Sequence, residues 1–173
     1  MKKIIYFIEY IIVYSLFFLF KIIGYRASSN LGFYIGKIIG PIFRSKSLII
    51  SNLKKAKVST KEREIKIANN VLGNYGRIFA EYPHLKHFRN NKLDKFIKIE
   101  GIDYLKSIKK QKKRAVFISG HFNNFELMAM EIERSGISVA AIYRPLNNIF
   151  LNKIMESIRK KYIIFFIFYH SKI

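Results

Sequence analysis

From Ile4 to Ile23 the chain is apolar at nearly every position, broken by Glu9, Ser15 and Lys21. About 20 residues at ~1.5 Å each cover about 30 Å, the thickness of a bilayer core, so the run predicts a membrane-spanning helix. It is too long for the apolar region of a signal peptide, and no small-x-small cleavage pattern follows it. Ser28–Ser29–Asn30 then reads as a polar break with capping residues. Residues 31 to about 57 read as amphipathic helices, the first ended or kinked at Pro41. Ser59–Thr60–Lys61–Glu62 has the form of a capping box. Behind it Ile65, Ala68, Leu72, Tyr75, Phe79 and Tyr82 recur at spacings of three and four, which predicts a helix that stops at Pro83. From Lys95 the pattern alternates. Strands are expected at 96–99, 115–119 and 137–143 and in the last apolar segment after Lys161. Helices are expected at 101–111, 124–134 and 149–161, the second closed by Gly136. Such alternation predicts parallel pairing with right-handed crossovers. The expected fold class is therefore α/β in three parts. A transmembrane anchor covers 1–27, a helical membrane-proximal region 28–94, and a partial, mostly parallel sheet with flanking helices 95–173.

Charge changes this picture. Thirty-two Lys and Arg stand against 11 Asp and Glu, a net charge of +21. That balance suits anionic partners: nucleic acid, acidic headgroups or a phosphorylated substrate. The rival reading is a genome bias towards Lys, Ile and Asn codons, which the residue usage fits well. Lys21, Arg26, Lys37, Arg44 and Lys46 follow the apolar run and only Lys2 and Lys3 precede it. The positive-inside rule then puts the bulk of the chain on the cytoplasmic side. The basic side chains between Lys37 and Lys57 either rest on anionic headgroups or form a solvated face. The basic run 109–114 sits between a helix and a strand and reads as a solvated loop, so no nucleic-acid partner is expected. There is no cysteine, hence no disulfide and no thiolate metal site. With no P-loop, dinucleotide fingerprint or metal-ligand cluster, no cofactor or metal is expected. Gly32, Gly36 and Gly40 repeat every four residues, a weak signal for a dimerisation motif that reads rather as close packing against a neighbouring helix or as chance. Arg77 and Glu81 read as a helical i,i+4 pair, and His84 and His87 as exposed loop residues.

The candidate chemistry lies in Ser119–Gly120–His121–Phe122–Asn123–Asn124–Phe125–Glu126, between an apolar run and a helical one. On one regular helix His121 and Glu126 would point about 140° apart. They can cooperate if His121 sits on the turn leaving the strand and Glu126 falls in the first helical turn. Asn123 or Asn124 would cap that helix, whose N-terminus favours an ionised acid. The carboxylate would orient one imidazole nitrogen and leave the other to take a proton. Arg144 falls at the end of the next strand, where parallel sheets bind ligands.

These motifs resemble those of the bacterial lipid A acyltransferases, the lauroyl/myristoyl family related to glycerolipid acyltransferases through an H-x4-D/E motif. The family commonly reads G-H-x-G-N-W-E. Gly120, His121, Asn124 and Glu126 match, Asn123 replaces glycine and Phe125 replaces tryptophan. Tyr143, Arg144, Pro145, Asn147 and Asn148 match its Y-R-P-x-N-N stretch. Asn52–Leu53 and Asn74–Tyr75–Gly76–Arg77 followed by Glu81 resemble upstream segments. The likeness extends to about Arg159. It implies a glycerolipid-acyltransferase-like fold and transfer of a fatty acyl group from acyl carrier protein to a hydroxyl of a phosphorylated lipid A precursor at the bacterial inner membrane. His121 and Glu126 are the implied catalytic pair, and Asn124, Arg144, Asn147 and Arg159 the implied substrate-binding residues. Family members are typically close to twice as long, so a truncated, inactive membrane-anchored remnant is the alternative reading.

Overall fold

The computed structural model describes residues 1–57, 60–121, 123–162 and 165–168, with the backbone alone of residues 61 and 165–168. Gly24, at φ +80°, separates the first two helices. These are α1, Lys2–Ile23, and α2, Tyr25–Phe43. The expected break at Ser28–Ser29–Asn30 lies inside α2 instead. Gly24 supplies an extended positive-φ backbone that glycine adopts freely and that breaks the helical run, and the serines are buried with their hydroxyls used. Ser28 Oγ donates to the Phe20 carbonyl at 2.6 Å, and Ser29 Oγ donates to Glu81 Oε1 at 2.7 Å. α1 is the one helix among the described residues long and apolar enough to cross a membrane, with a mean hydropathy of 1.9 over its best window.

The chain forms two compact units. In residues 16–84, α2 is followed by α3, Lys46–Lys55, and α4, Lys61–Glu81, and a 3-10 turn at Tyr82–His84. Pro41 lies inside α2, which ends two residues later at Phe43, as expected when one ladder donor is lost. α2 and α4 touch backbone to backbone. A methyl group on Gly36 would come within 2.5 Å of the Leu72 carbonyl oxygen, and one on Gly76 would overlap the Gly32 carbonyl. The glycine spacing in α2 is thus a helix-packing face. Its partner line on α4 is Leu72, Gly73, Gly76 and Ala80, while Ala68 clusters with Ile49 of α3. The predicted apolar face is correct at Ala68 and Leu72, while Ile65 and Tyr75 are exposed. Small residues let the backbones approach, and they decide which side of α4 is covered. Thr60 is the N-cap residue of α4 and makes no side-chain capping bond; Ser59, which opens the expected capping box, lies outside the described residues.

Two polar readings need correction here. His84 is buried, with Nε2 3.1 Å from the Phe20 carbonyl and 3.2 Å from Ser28 Oγ, and His87 is half-buried. Arg77 stacks over the Phe33 ring at 4.5 Å, and Glu81 is buried with Ser29. Burial pushes the neighbouring Tyr25 hydroxyl up to about 12, and the Glu81 carboxylate adds to the effect.

The other unit joins residues 1–15 to 85–173. It holds α5, Leu85–Arg89, a 3-10 turn at Asp94–Phe96, α6, Ile102–Gln111, and α7, Phe125–Arg134. Then come β1, Ala140–Tyr143, α8, Ile149–Tyr162, and β2, Phe165–Phe168. Leu85, Phe88, Met130 and Ile132 are buried. Arg134 ties α7 to the preceding loop through Asp94 Oδ2 at 3.0 Å and Asn91 Oδ1 at 2.6 Å, and Arg89 pairs with Glu133.

The fold is mostly helical, and the partial parallel sheet of the α/β expectation is reduced to one short ladder. β1 pairs with β2 in parallel, Ala140 with Phe165 through Tyr143 with Phe168. The strand expected at 96–99 is a 3-10 turn followed by irregular chain, and the one expected at 115–119 is irregular. Apolar β-formers make a strand only when a ladder partner and a covering layer are present. Val116 and Ile118 are 89% and 93% exposed, so neither is supplied among the described residues.

Candidate active site

Gly120 and His121 leave the irregular segment just before α7. Asn123 follows in the left-handed region at φ +53°, the conformation that glycine adopts freely and asparagine tolerates. The chain therefore keeps the backbone that a glycine would give at this place. Asn124 is the N-cap residue of α7, although its side chain makes no capping bond. The Phe125 ring packs edge-on against the His121 imidazole at 4.4 Å between centroids. Glu126 falls in the first turn of α7, the position that the dipole favours for an anion.

The two candidate catalytic side chains have different surroundings. His121 is exposed, so its imidazole is open to solvent. Glu126 is buried at 5% exposure and faces Arg159 on α8. Arg159 Nε donates to Glu126 Oε1 at 2.9 Å, and Nη2 donates to the same oxygen at 2.5 Å. Among the described residues no hydrogen bond joins His121 to Glu126. Arg159, expected on a substrate, is here an ion-pair partner inside the fold. Its guanidinium also lies 4.7 Å from the centre of the Tyr143 ring.

The segment after β1 is braced by α8. Tyr143 donates its hydroxyl to Asn152 Oδ1, which also accepts from the Leu146 backbone amide at 2.8 Å. Burial pushes the Tyr143 hydroxyl above its ordinary value, and the Arg159 charge opposes the shift. Arg144 and Asn147 are exposed beside this brace. Asn148, matched above but given no role, is buried and holds more of the structure than its neighbour. Its Oδ1 caps α8 through the Phe150 and Leu151 amides at 3.0 and 3.2 Å. Its Nδ2 donates to the Tyr6 carbonyl at 2.9 Å and to Glu9 Oε2 at 2.8 Å. Phe150 packs on Phe7 and Tyr10. The capping role was readable from an asparagine immediately before Ile149; the bond to Glu9, 139 residues away, was not.

A groove of about 860 Å³ runs between α6, residues 112–117, α7 and β1, and another of about 480 Å³ lies between Phe96–Gly101 and α7. Both are mainly apolar at their α7 walls, through Met128 and Ile132, and neither includes His121 or Arg144. Among the described residues no group of three or more His, Cys, Asp or Glu side chains is placed to hold a metal ion.

The sequence model of a family described as bacterial lipid A biosynthesis acyltransferase matches residues 1–167. No curated protein and no solved structure matches the chain.

Proposed function

The chain belongs to the bacterial lipid A biosynthesis acyltransferase family, and from that premise we propose that it moves a fatty acyl group from acyl carrier protein to a hydroxyl of a phosphorylated lipid A precursor. The observation that carries the reading is the His121–Glu126 spacing across the start of α7, an exposed imidazole followed by a buried first-turn carboxylate. His121 takes the hydroxyl proton as the oxygen attacks the thioester carbonyl. The tetrahedral oxyanion collapses, the C–S bond breaks, and the imidazolium returns its proton to the departing sulfur, which leaves as the carrier thiol and frees His121 as a base again. Backbone amides around Asn123 and Asn124, or the Arg144 guanidinium, serve the oxyanion. Arg144 and Asn147, both exposed, receive the acceptor's phosphate and sugar groups. Arg159 holds Glu126 in an ion pair and joins substrate binding only as that pair opens. α1 anchors the protein by a single pass in the inner membrane, with the remaining chain in the cytoplasm.

The test is acyl transfer from acyl carrier protein thioester to a lipid A precursor, followed by mass spectrometry. Loss of a general base typically costs about 10²–10⁴ in rate, so His121→Ala and Glu126→Ala should each lose turnover on that scale. Undiminished transfer in both variants would reject the dyad. A second reading, in which this chain alone gives no turnover, is favoured by the engagement of Glu126 with Arg159. It predicts binding of the acceptor without product even in the unaltered chain.

A further inference from the structure

α2 presents two opposite faces. Gly32 and Gly36 press on α4. Ile38 lies about 160° around the helix from Gly36, and it is 77% exposed in a line with Tyr34 and Ile42. This i, i+4, i+8 series is an apolar stripe that no described residue covers. Large exposed apolar patches mark contact surfaces, and this one lies in an unusual electrostatic setting. Between Glu9 and Glu62 the chain has no acidic residue, so every charged side chain there is Lys or Arg. Arg44 and Lys46 follow the stripe directly, and Phe43 and Leu48, both more than half exposed, stand among them. An apolar helical stripe edged only by cations is complementary to one environment, the headgroup and upper acyl region of an anionic bilayer. The stripe is also brought there by its own unit. Phe17 and Phe20 of α1 are buried, and their rings pack with Phe79 of α4.

We propose that α2 is a second membrane contact of this protein, lying in the interface of an anionic bilayer with Tyr34, Ile38 and Ile42 turned into lipid. The unit of residues 16–84 then sits partly in the membrane surface instead of hanging from α1 as a tether. This rests on the reading of α1 as a membrane helix, and the experiment separates the two claims.

The chain contains no tryptophan, so single substitutions make clean probes. Ile42→Trp, Ile12→Trp and Lys66→Trp, each in the full chain, are reconstituted in phosphatidylglycerol-rich vesicles whose lipids carry bromine on the acyl chains. All three sites are exposed, and unchanged far-UV circular dichroism confirms that the variants fold. Emission from Ile42→Trp should be blue-shifted and quenched to an extent comparable with Ile12→Trp, while Lys66→Trp stays unquenched. In zwitterionic vesicles at high salt the quenching at position 42 should fall and that at position 12 should persist. Quenching at 12 but not at 42 overturns the proposal and leaves the anchor standing. Loss of quenching at both positions removes the anchor itself. A blue shift at 42 without quenching, retained in detergent, also overturns it and assigns the stripe to a second copy of the chain. Equal quenching at 42 in both vesicle types overturns the requirement for anionic lipid.

Discussion

Glu126 and Arg159 form a pair in which neither side chain is more than 13% exposed. Desolvating two such charges is costly, and their attraction and hydrogen bonds offset that cost only while both are present. Arg159→Met should therefore lower unfolding stability by about 3–5 kcal/mol, the usual result of stranding a buried charge. The double variant Glu126→Leu/Arg159→Met should recover most of the loss. Urea unfolding in detergent measures both, and an unchanged midpoint for Arg159→Met would mean that the pair contributes nothing. Asn123 makes a second case. Its φ of +53° costs an ordinary L-residue about 1–2 kcal/mol, more for a β-branched one. Asn123→Gly should preserve acyl transfer and folding, whereas Asn123→Val should weaken both by tilting His121 away from α7. Equal transfer rates for the two variants would show that the turn does not position the imidazole.

At the level of elements, the contact between α2 and α4 depends on missing side chains. Adding a methyl group to Gly76 meets the backbone of Gly32 and Gly36, which cannot turn aside as a side chain can. Overpacking of this kind costs about 1–3 kcal/mol, more than the ~1 kcal/mol that alanine gains over glycine as a helix former. Gly76→Ala should thus lower the melting temperature, and Gly40→Ala should lower it least, because its new methyl meets the Leu72 side chain at 3.0 Å. Melting followed by circular dichroism would contradict the packing account if the two variants behaved alike. The same contact shows what the sequence could reveal. Helices α4, α6, α7 and α8 fall within about two residues of their expected limits, since propensity, caps and Pro83 or Gly136 act locally. The exposed Ile65 and Tyr75 were misassigned because apolar spacing marks the greasy side of a helix, while here glycine and alanine form the covered one. The strands at 96–99 and 115–119 were misread because a strand needs a partner that local pattern does not provide. His84 was misplaced for a related reason: what holds it, Ser28, lies 56 residues away.

For the molecule as a whole, the candidate site is proposed from sequence as a set of residues, whereas its contacts are visible only in the fold. His121, Glu126 and Arg144 announced themselves by residue type and by position near the ends of predicted elements, while the link from Glu126 to Arg159 crosses 33 residues and has no local signature. The proposed orientation, by contrast, rests on the Lys and Arg bias across α1, which a sequence displays directly. With Lys2 and Lys3 ahead of α1 and Lys21, Arg26, Lys37, Arg44 and Lys46 behind it, moving the longer side outward would carry the larger cationic load across the membrane. In that orientation the net charge of +21 would favour an anionic leaflet. The absence of cysteine makes the test direct. Lys66→Cys in one unit and Lys110→Cys in the other, both at exposed positions, should resist a membrane-impermeant maleimide in intact spheroplasts and react in inverted inner-membrane vesicles. Reaction of either cysteine in the intact spheroplasts would place its unit on the outer face, away from any cytoplasmic acyl donor, and the acyl-carrier-protein reading would fall with it.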